Sequence, residues 1–312
     1  MTEFTILVTA ADLATDAENI LRENGAALEF IPERTAEDMF AERFSRGDVA
    51  GVMMRGSPPF TRRVLSGAKG LRIIAKVGSG LDTVDTEAAR AHGIALTTSG
   101  EVTADAVAEH TLAHMLNLAR DLPRLDRVTR AGRWEQREFK GREFGARTVG
   151  ILGYGGVGRR VARLVSAFGA RVLVHTLSGP RAIECGELEP DFDRFLATVD
   201  ILSLHGRLDA KTRGLIGARE LALMKPDALL INTSRGALVD EAALAAALNA
   251  GRLGGAGLDV FAKEPLDPKH PLLAAPNVIV TSHVGASARE TVARVAARAA
   301  QTIVEHLRGT RT

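Results

Sequence analysis

Two doubly wound α/β domains, each built on a parallel sheet, are predicted by three features of this 312-residue sequence. Short apolar runs alternate with helical patterns from the N-terminus onward. The alternation is interrupted by one long helical segment and then restarts. The restart opens on a strand followed by a glycine-rich turn and a helix. The length suits two domains of ordinary size and a core that needs no covalent staples.

Taken in order, "TILV" is the first strand, followed by a helix closing at Gly25, the strand "ALEFI", a helix to Ser45, and the strand "VAGVMM". "RIIAKVG" and "IALTTS" continue the series, and a helix from about Thr103 to about Arg120 follows, with Pro123 at its end or at a kink. The second series runs "TVGIL", the helix "VGRRVARLVSAFG", then "RVLVHT", "VDILSLH", "DALLINTS", "AGLDVF" and "NVIVTS". These near-continuous apolar strands are what a sheet covered on both faces requires. "DEAALAAALNAG" is a helix with Asp240 as N-cap and Gly251 as its stop. The Ala-rich last helix, from about Ser287, is expected to cross back to the first domain.

Lys and Arg number 40 against 38 Asp and Glu, so there is no net field to recruit nucleic acid or an anionic membrane, and neither is expected as a partner. A small anionic ligand needs only local charge. The single cysteine, Cys185, excludes an internal disulfide framework and a Cys-rich zinc site, which fits a reducing compartment. The start, "MTEFTILVTAADLATD", sets its short apolar run among acids, and no apolar segment approaches the about 20 residues that span a bilayer. A soluble, cytoplasmic protein is expected.

"GYGGVG" places Gly153, Gly155 and Gly158 in the spacing G-x-G-x-x-G. Between a strand and a helix, such glycines allow a tight turn, close approach of a pyrophosphate and close helix packing, with phosphate at the positive helix end. The alternative is an ordinary Gly-rich turn. A P-loop is disfavoured, since Arg159 and Arg160 stand where Lys and Ser/Thr would follow. An acid normally ends the next strand and binds the adenosine ribose hydroxyls, but Thr176 occupies that place, with Ser178 and Arg181 beside it. Hydroxyls and a cation suit the extra phosphate of NADP, which an acid would repel. The competing reading is a permissive pocket with Arg181 in solvent, and NAD then remains possible.

Arg235 in "INTSRGALVDE", Glu264 in "LDVFAKEPL" and His283 in "VTSHVGAS" each follow a predicted strand. Ligands of open parallel sheets gather at the carboxyl ends of strands, so the three are candidates to converge. Singly each has a plain structural reading, as a turn cation, a loop acid and a helix-entry residue. Together they supply a fixed cation, an acid and a titratable imidazole, a set suited to interconverting a 2-hydroxy acid and a 2-keto acid.

With these motifs in hand, the chain resembles the D-isomer-specific 2-hydroxyacid dehydrogenases, with the local flavour of 3-phosphoglycerate dehydrogenases and glyoxylate/hydroxypyruvate reductases. The resemblance runs through "KVGSGLDTVD", "VAEHTLAHMLNLAR", "GRWEQREFKGREFGARTVGILGYGGVG", "LLINTSRGALVDEAAL", "GAGLDVFAKEPL" and "SHVGAS". It implies a flavodoxin-like substrate domain (1–99 plus 287–312) and a Rossmann NAD(P)-binding domain (100–286). It further implies that His283 is the acid/base, that Glu264 pairs with it and raises its pKa, and that Arg235 holds the substrate carboxylate and polarises the carbonyl. Gly78, Ser79 and Gly80 resemble the loop whose N–H groups bind that carboxylate, with Ser79 also at the cofactor. Gly156, Val157, Gly206, Thr233 and Gly285 would line the dinucleotide, and Asp259 resembles the residue that hydrogen-bonds the nicotinamide amide. Arg55, after "VAGVMM", is a candidate for a distal substrate group or a solvated strand-end residue.

Two departures from the family pattern lean toward NADP: Thr176 replaces the usual acid, and Arg207 in "LHGRLD" stands where Pro is usual. The expected activity is therefore reduction of a small 2-keto acid of the glyoxylate or hydroxypyruvate kind with NADPH. The alternatives are an NAD-using phosphoglycerate dehydrogenase-like enzyme and a non-catalytic dinucleotide sensor; formate or phosphite oxidation is a further rival, although Gln rather than Glu264 is usual in such a formate enzyme. His110 and His114, four apart on a helix, have no obvious third ligand, so no metal is expected. Arg124, Arg127, Arg130, Arg133, Arg137 and Lys140 form a basic stripe interrupted by Asp126, Glu135 and Glu138, which reads as solvated or subunit-facing. Trp134 lies there too, and the resemblance implies a homodimer interface nearby.

Overall fold

Three consecutive apolar residues can all be buried only where a strand is covered on both faces, and the computed structural model shows this in the central strands, as at residues 6–8, 52–54 and 229–231. It describes residues 3–32, 34–56, 58–177, 179 and 182–309. The chain divides into two compact units, residues 1–103 with 286–312 and residues 104–285.

The first unit contains β1 (Phe4–Val8), α1 (Thr15–Glu23), β2 (Ala26–Phe30), α2 (Glu37–Ser45), β3 (Val49–Met54), α3 (Arg62–Ser66), β4 (Ile73–Lys76), α4 (Thr86–Ala91) and β5 (Ala95–Thr98). Its five strands are all parallel, in the order β2-β1-β3-β4-β5, the flavodoxin-like arrangement. Side chains alternate between two cores. Leu7, Val52, Met54 and Ile74 join Phe40, Phe44 and Phe60 on one face. Ile6, Val8, Met53, Ile73 and Ala75 join Leu21 and Ile303 on the other.

Helix α5 (Gly100–Ala119) begins one turn before the second unit, which continues with α6 (Leu122–Arg130), β6 (Thr148–Leu152), α7 (Gly156–Ala167), β7 (Arg171–His175), β8 (Glu187–Leu188), α8 (Phe192–Thr198), β9 (Ile201–Leu204), α9 (Ala218–Leu223), β10 (Leu229–Asn232), α10 (Glu241–Asn249), β11 (Gly255–Leu258) and β12 (Val278–Val280). The seven strands are parallel, in the order β12-β11-β10-β9-β6-β7-β8. Here Val149, Ile151, Ile201, Leu229 and Ile231 face one core and Leu202, Leu204 and Leu230 the other. Strand order reverses between β6 and β9, and that switch point is where an open α/β sheet binds its ligand.

The long helix ends within a residue of the expected place, and a second helix follows it. It stops at Ala119, Asp121 adopts a left-handed conformation (φ 50°), and Pro123 sits in the first turn of α6. Proline lacks an N–H, so it is tolerated in a first turn, where that donor has no intrahelical partner. Asp240 caps α10 as expected, accepting from the N–H groups of Ala242 and Ala243.

The last helix, α11 (Arg289–Gly309), crosses back onto α1, β3 and β4. Gly51 on β3 makes room for it: a Cβ there would lie 2.8 Å from Ile6 Cδ1, 3.3 Å from Ile73 Cγ2 and 3.5 Å from Ile303 Cγ2. Ile303 is fully buried in this core. Ile303→Ala is therefore expected to destabilise the first unit by about 2–5 kcal/mol, read as a lower denaturant midpoint; an unchanged midpoint would show that α11 contributes nothing to this core.

Candidate active site

The glycine turn of the second unit sits at the β6/β9 switch point, and each glycine has a different physical reason. Gly153 has φ 97°, and a Cβ on it would lie 2.8 Å from the backbone of His205 and Gly206 at the end of β9. A Cβ on Gly158 would collide with the carbonyl of Gly153, so the third glycine sets the close approach of α7 to the turn. Gly155 is the N-cap of α7, and its Cβ direction is open space. No side chain caps α7, whose first residues are Gly156 and Val157, leaving N–H groups and the positive end of the helix dipole for an anion. This division into tight turn, open approach and close packing is what a dinucleotide pyrophosphate requires.

Around that turn, Gly206 also faces open space, and its carbonyl accepts from Ser234 Oγ. Thr233 is buried, with its hydroxyl 2.7 Å from that of Thr111. Thr176, just beyond β7, donates its hydroxyl to the carbonyl of Gly179 at 2.6 Å, which leaves the oxygen able to accept. Arg207 is exposed. Ser178 and Arg181 lie outside the described residues.

Arg235 follows β10 on a loop fixed by Asn232, which donates to the Arg235 carbonyl at 2.9 Å and accepts from Ser234 N–H at 3.1 Å. Gly236 lets this loop run against the backbone of Phe261 and Ala262, where any Cβ would collide. That strand-end segment leads to Glu264. Glu264 Oε1 accepts from Phe261 N–H at 3.0 Å, and Oε2 lies 2.8 Å from His283 Nδ1. Each side chain of this pair remains more than one-third exposed.

The hydrogen bond to Glu264 raises the pKa of His283 above its ordinary value, against burial and the nearby charge of Arg235, which lower it. Burial alone would raise the Glu264 carboxyl, but its bonds to His283 and Phe261 hold it below the usual carboxylate range. With Nδ1 turned to Glu264, Nε2 is the atom left for a substrate.

His283 has φ 57°, a left-handed conformation that costs a non-glycine residue on the order of 1–3 kcal/mol. Asp259 holds it there. Its carbonyl accepts from His283 N–H at 2.7 Å, and its carboxylate accepts from Val284 N–H at 2.9 Å, Gly285 N–H at 2.8 Å and Thr281 Oγ1 at 2.6 Å. The side chain is 1% exposed. Asp259 is thus anchored beneath the His283 turn. Burial would raise its carboxyl, but these hydrogen bonds and His110 drive it far below the usual range.

Sequence reasoning passed over the layer beneath. His110 Nε2 and His114 Nε2 lie 3.0 and 3.2 Å from Thr281 Oγ1 and 3.2 Å from each other. Burial, then the neighbouring His110, hold His114 down at about 4, so it is neutral at pH 7. Its Nδ1 has no hydrogen-bond partner among the described residues, which favours the tautomer whose proton sits on Nε2 and points at Thr281. Gly257 makes space for this ring, since a Cβ there would come within 3.0 Å of it. The i, i+4 spacing on α5 was the available signal, and it pairs the two rings on Thr281.

In the first unit, Arg55 follows β3 at the β1/β3 switch point. Its backbone N–H and carbonyl both bond to Thr9 Oγ1 at 2.8 Å, and its side chain reaches Asp12 at 3.3 Å. Gly78 (φ 129°), Ser79 and Gly80 follow β4, with the Gly78 carbonyl accepting from Ser99 N–H at 2.8 Å. A Cβ on Gly100 would press on Ser79 at 2.9 Å. Among the described residues no helix is long and apolar enough to cross a membrane.

Comparisons with known proteins agree with this fold. Residues 112–285 match the family model of the D-isomer specific 2-hydroxyacid dehydrogenase NAD binding domain. The chain is 34% identical over 305 residues to D-3-phosphoglycerate dehydrogenase of Archaeoglobus fulgidus, covering 97% of this chain and 57% of that protein. It therefore spans little more than half the length of that relative. It is 42% identical over 255 residues to glyoxylate reductase of Aeropyrum pernix, covering 79% of this chain and 76% of that one. Among solved structures, the TT0316 protein from Thermus thermophilus matches with a TM-score of 0.89 and 35% identity, over 98% of this chain and 97% of that one. The chain belongs to the D-isomer specific 2-hydroxyacid dehydrogenase family.

Proposed function

We propose that this protein is an NADPH-preferring 2-hydroxyacid dehydrogenase that reduces a small 2-keto acid of the glyoxylate or hydroxypyruvate kind. The observation that carries the proposal is the His283–Glu264 pair, held at 2.8 Å beside Arg235 and in the same unit as the glycine turn. A pure dinucleotide sensor has no need of an imidazole whose pKa is raised by a carboxylate.

The residues at the switch point fit a dinucleotide: Gly155 is open, α7 opens on Gly156 and Val157 without a side-chain cap, Gly206 lies against Gly153, and Thr233 follows β10. When bound, the nicotinamide supplies the hydride that adds to C2 of the keto acid. His283 holds a proton at Nε2 and delivers it to the carbonyl oxygen as that oxygen gains charge, so the product is the 2-hydroxy acid. Glu264 stabilises the imidazolium before transfer and fixes the ring orientation. Arg235 holds the substrate carboxylate with its guanidinium fork and draws charge toward the carbonyl oxygen. Asp259, through Gly285 and the His283 turn, keeps the proton donor in place. The N–H groups of Gly78–Gly80 and the Arg55 side chain offer further anion contacts within the first unit.

Preference for NADPH is supported by Thr176 in place of an acid and by exposed Arg207, which together accept and neutralise a 2′-phosphate. A homodimer is supported by Trp134, 75% exposed, and Leu122, 48% exposed, both within the interface segment that the resemblance implies. The relative from Aeropyrum pernix is named a glyoxylate reductase, which fits the proposed substrate class.

The reading is tested by following nicotinamide absorbance with glyoxylate and hydroxypyruvate, NADPH and NADH in parallel. Faster loss of NADPH is expected; faster loss of NADH would reject the cofactor preference, and no loss with either would reject the reductase. A second test is the pH profile of Glu264→Gln. Reduction needs protonated His283, so activity is present below its raised pKa and lost as pH rises through it. Removing the carboxylate is expected to move that descending limb of kcat/KM to lower pH, toward the ordinary imidazole value; an unmoved limb would show that Glu264 does not set it.

A further inference from the structure

At the opposite end of β6 from the glycine turn, a buried guanidinium lacks a partner among the described residues. Arg147 immediately precedes the strand and is 8% exposed, yet its Nε and Nη1 make no hydrogen bond. Its burial and the charge of Arg142 work against the charged form, but an arginine stays protonated in proteins. The two carboxylates whose charge reaches it are held elsewhere. Asp200 accepts from Lys225 and from Thr148 N–H, both at 2.7 Å, and Asp227 pairs with Arg142. An isolated buried charge of this kind is costly unless something balances it.

Arg147 lines a surface pocket of about 200 Å³ together with Arg142, Lys140, Phe139, Asp121 and Asp227. Asp121 is engaged by Arg124, and Asp227 by Arg142. Lys140 is exposed and makes no ion pair among the described residues. The pocket therefore presents two positive charges, on Arg147 and Lys140, without carboxylates of their own. It is separate from the dinucleotide turn, because the five residues of β6 set the two apart by roughly 17 Å.

We propose that this pocket binds a small tetrahedral oxyanion: inorganic phosphate, or the phosphoryl group of a small metabolite. A guanidinium and an ammonium facing one dianion provide charge balance and donors to its oxygens, with the planar arginine positioned by its buried stem. The inference is independent of the reaction proposed above.

Calorimetric titration of the full chain with sodium phosphate, at ionic strength held constant with chloride, tests it. One phosphate is expected to bind wild-type protein. Lys140→Ala is expected to weaken that binding by about tenfold, the loss of one charge-assisted contact, and Arg147→Gln to abolish it. Lys140 is exposed, so its variant decides the matter even if Arg147→Gln does not fold. No binding by wild-type protein, or binding by Lys140→Ala as tight as wild type, would overturn the proposal. Phenyl phosphate titrated alongside separates the sources. Tighter binding than inorganic phosphate supports a phosphorylated metabolite, and weaker binding supports the free ion.

Discussion

The carboxylate of Asp259 accepts hydrogen bonds from Thr281, Val284 and Gly285 in a place where water cannot reach it. Each bond ties down part of the turn that carries His283, and the Asp259 carbonyl takes the N–H of His283 itself. Without those anchors the left-handed backbone at His283 would relax, and its Nδ1 would no longer meet Glu264. A buried donor left unpaired costs about 1–3 kcal/mol, so breaking the set is opposed on several bonds at once. The layer of His110, His114 and Thr281 beneath extends the same network into α5, where His114 stays neutral and serves only as a donor.

The two ends of the second sheet have opposite chemistry. At the carboxyl ends of β6, β9, β10 and β11 lie the glycine turn, Gly206, Arg235 and the segments leading to Glu264 and His283. Each is there because a strand end at a switch point leaves backbone groups and side chains free of the ladder. Glycines set the distances: Gly158 lets α7 approach the Gly153 turn, and Gly236 lets the Arg235 loop touch the Phe261 segment. At the amino ends of β6, β9 and β10, Arg147, Asp200 and Asp227 leave an arginine short of a counter-charge.

Strands, helices and their parallel arrangement were legible because burial on both sheet faces writes itself as continuous apolar runs, as in "VAGVMM" and "DALLINTS". Gly153, Gly155 and Gly158 were legible through spacing and context, since three physical demands fall at fixed positions on one turn. Arg235, Glu264 and His283 stood out as polar residues after strands, but their meeting within one unit is a property of chain tracing that spacing does not contain. Asp259 was singled out, yet its attachment to Thr281 depends on two neighbouring strand ends 22 residues apart in sequence. The left-handed turn at His283 had no sequence signal, because histidine there is held by tertiary hydrogen bonds and not by its own preference. Pro123 marks the break after the long helix but does not reveal the short helix it opens, because proline is equally at home in a first helical turn.

The role proposed for His283 as proton donor is tested most directly by His283→Asn, with NADPH binding and keto acid reduction measured on the same purified protein. The account predicts dinucleotide affinity close to wild type, because the glycine turn is untouched, and turnover reduced by about 10²–10⁴-fold, the usual contribution of a positioned general acid. Turnover within a few-fold of wild type would contradict it and remove His283 from the chemistry.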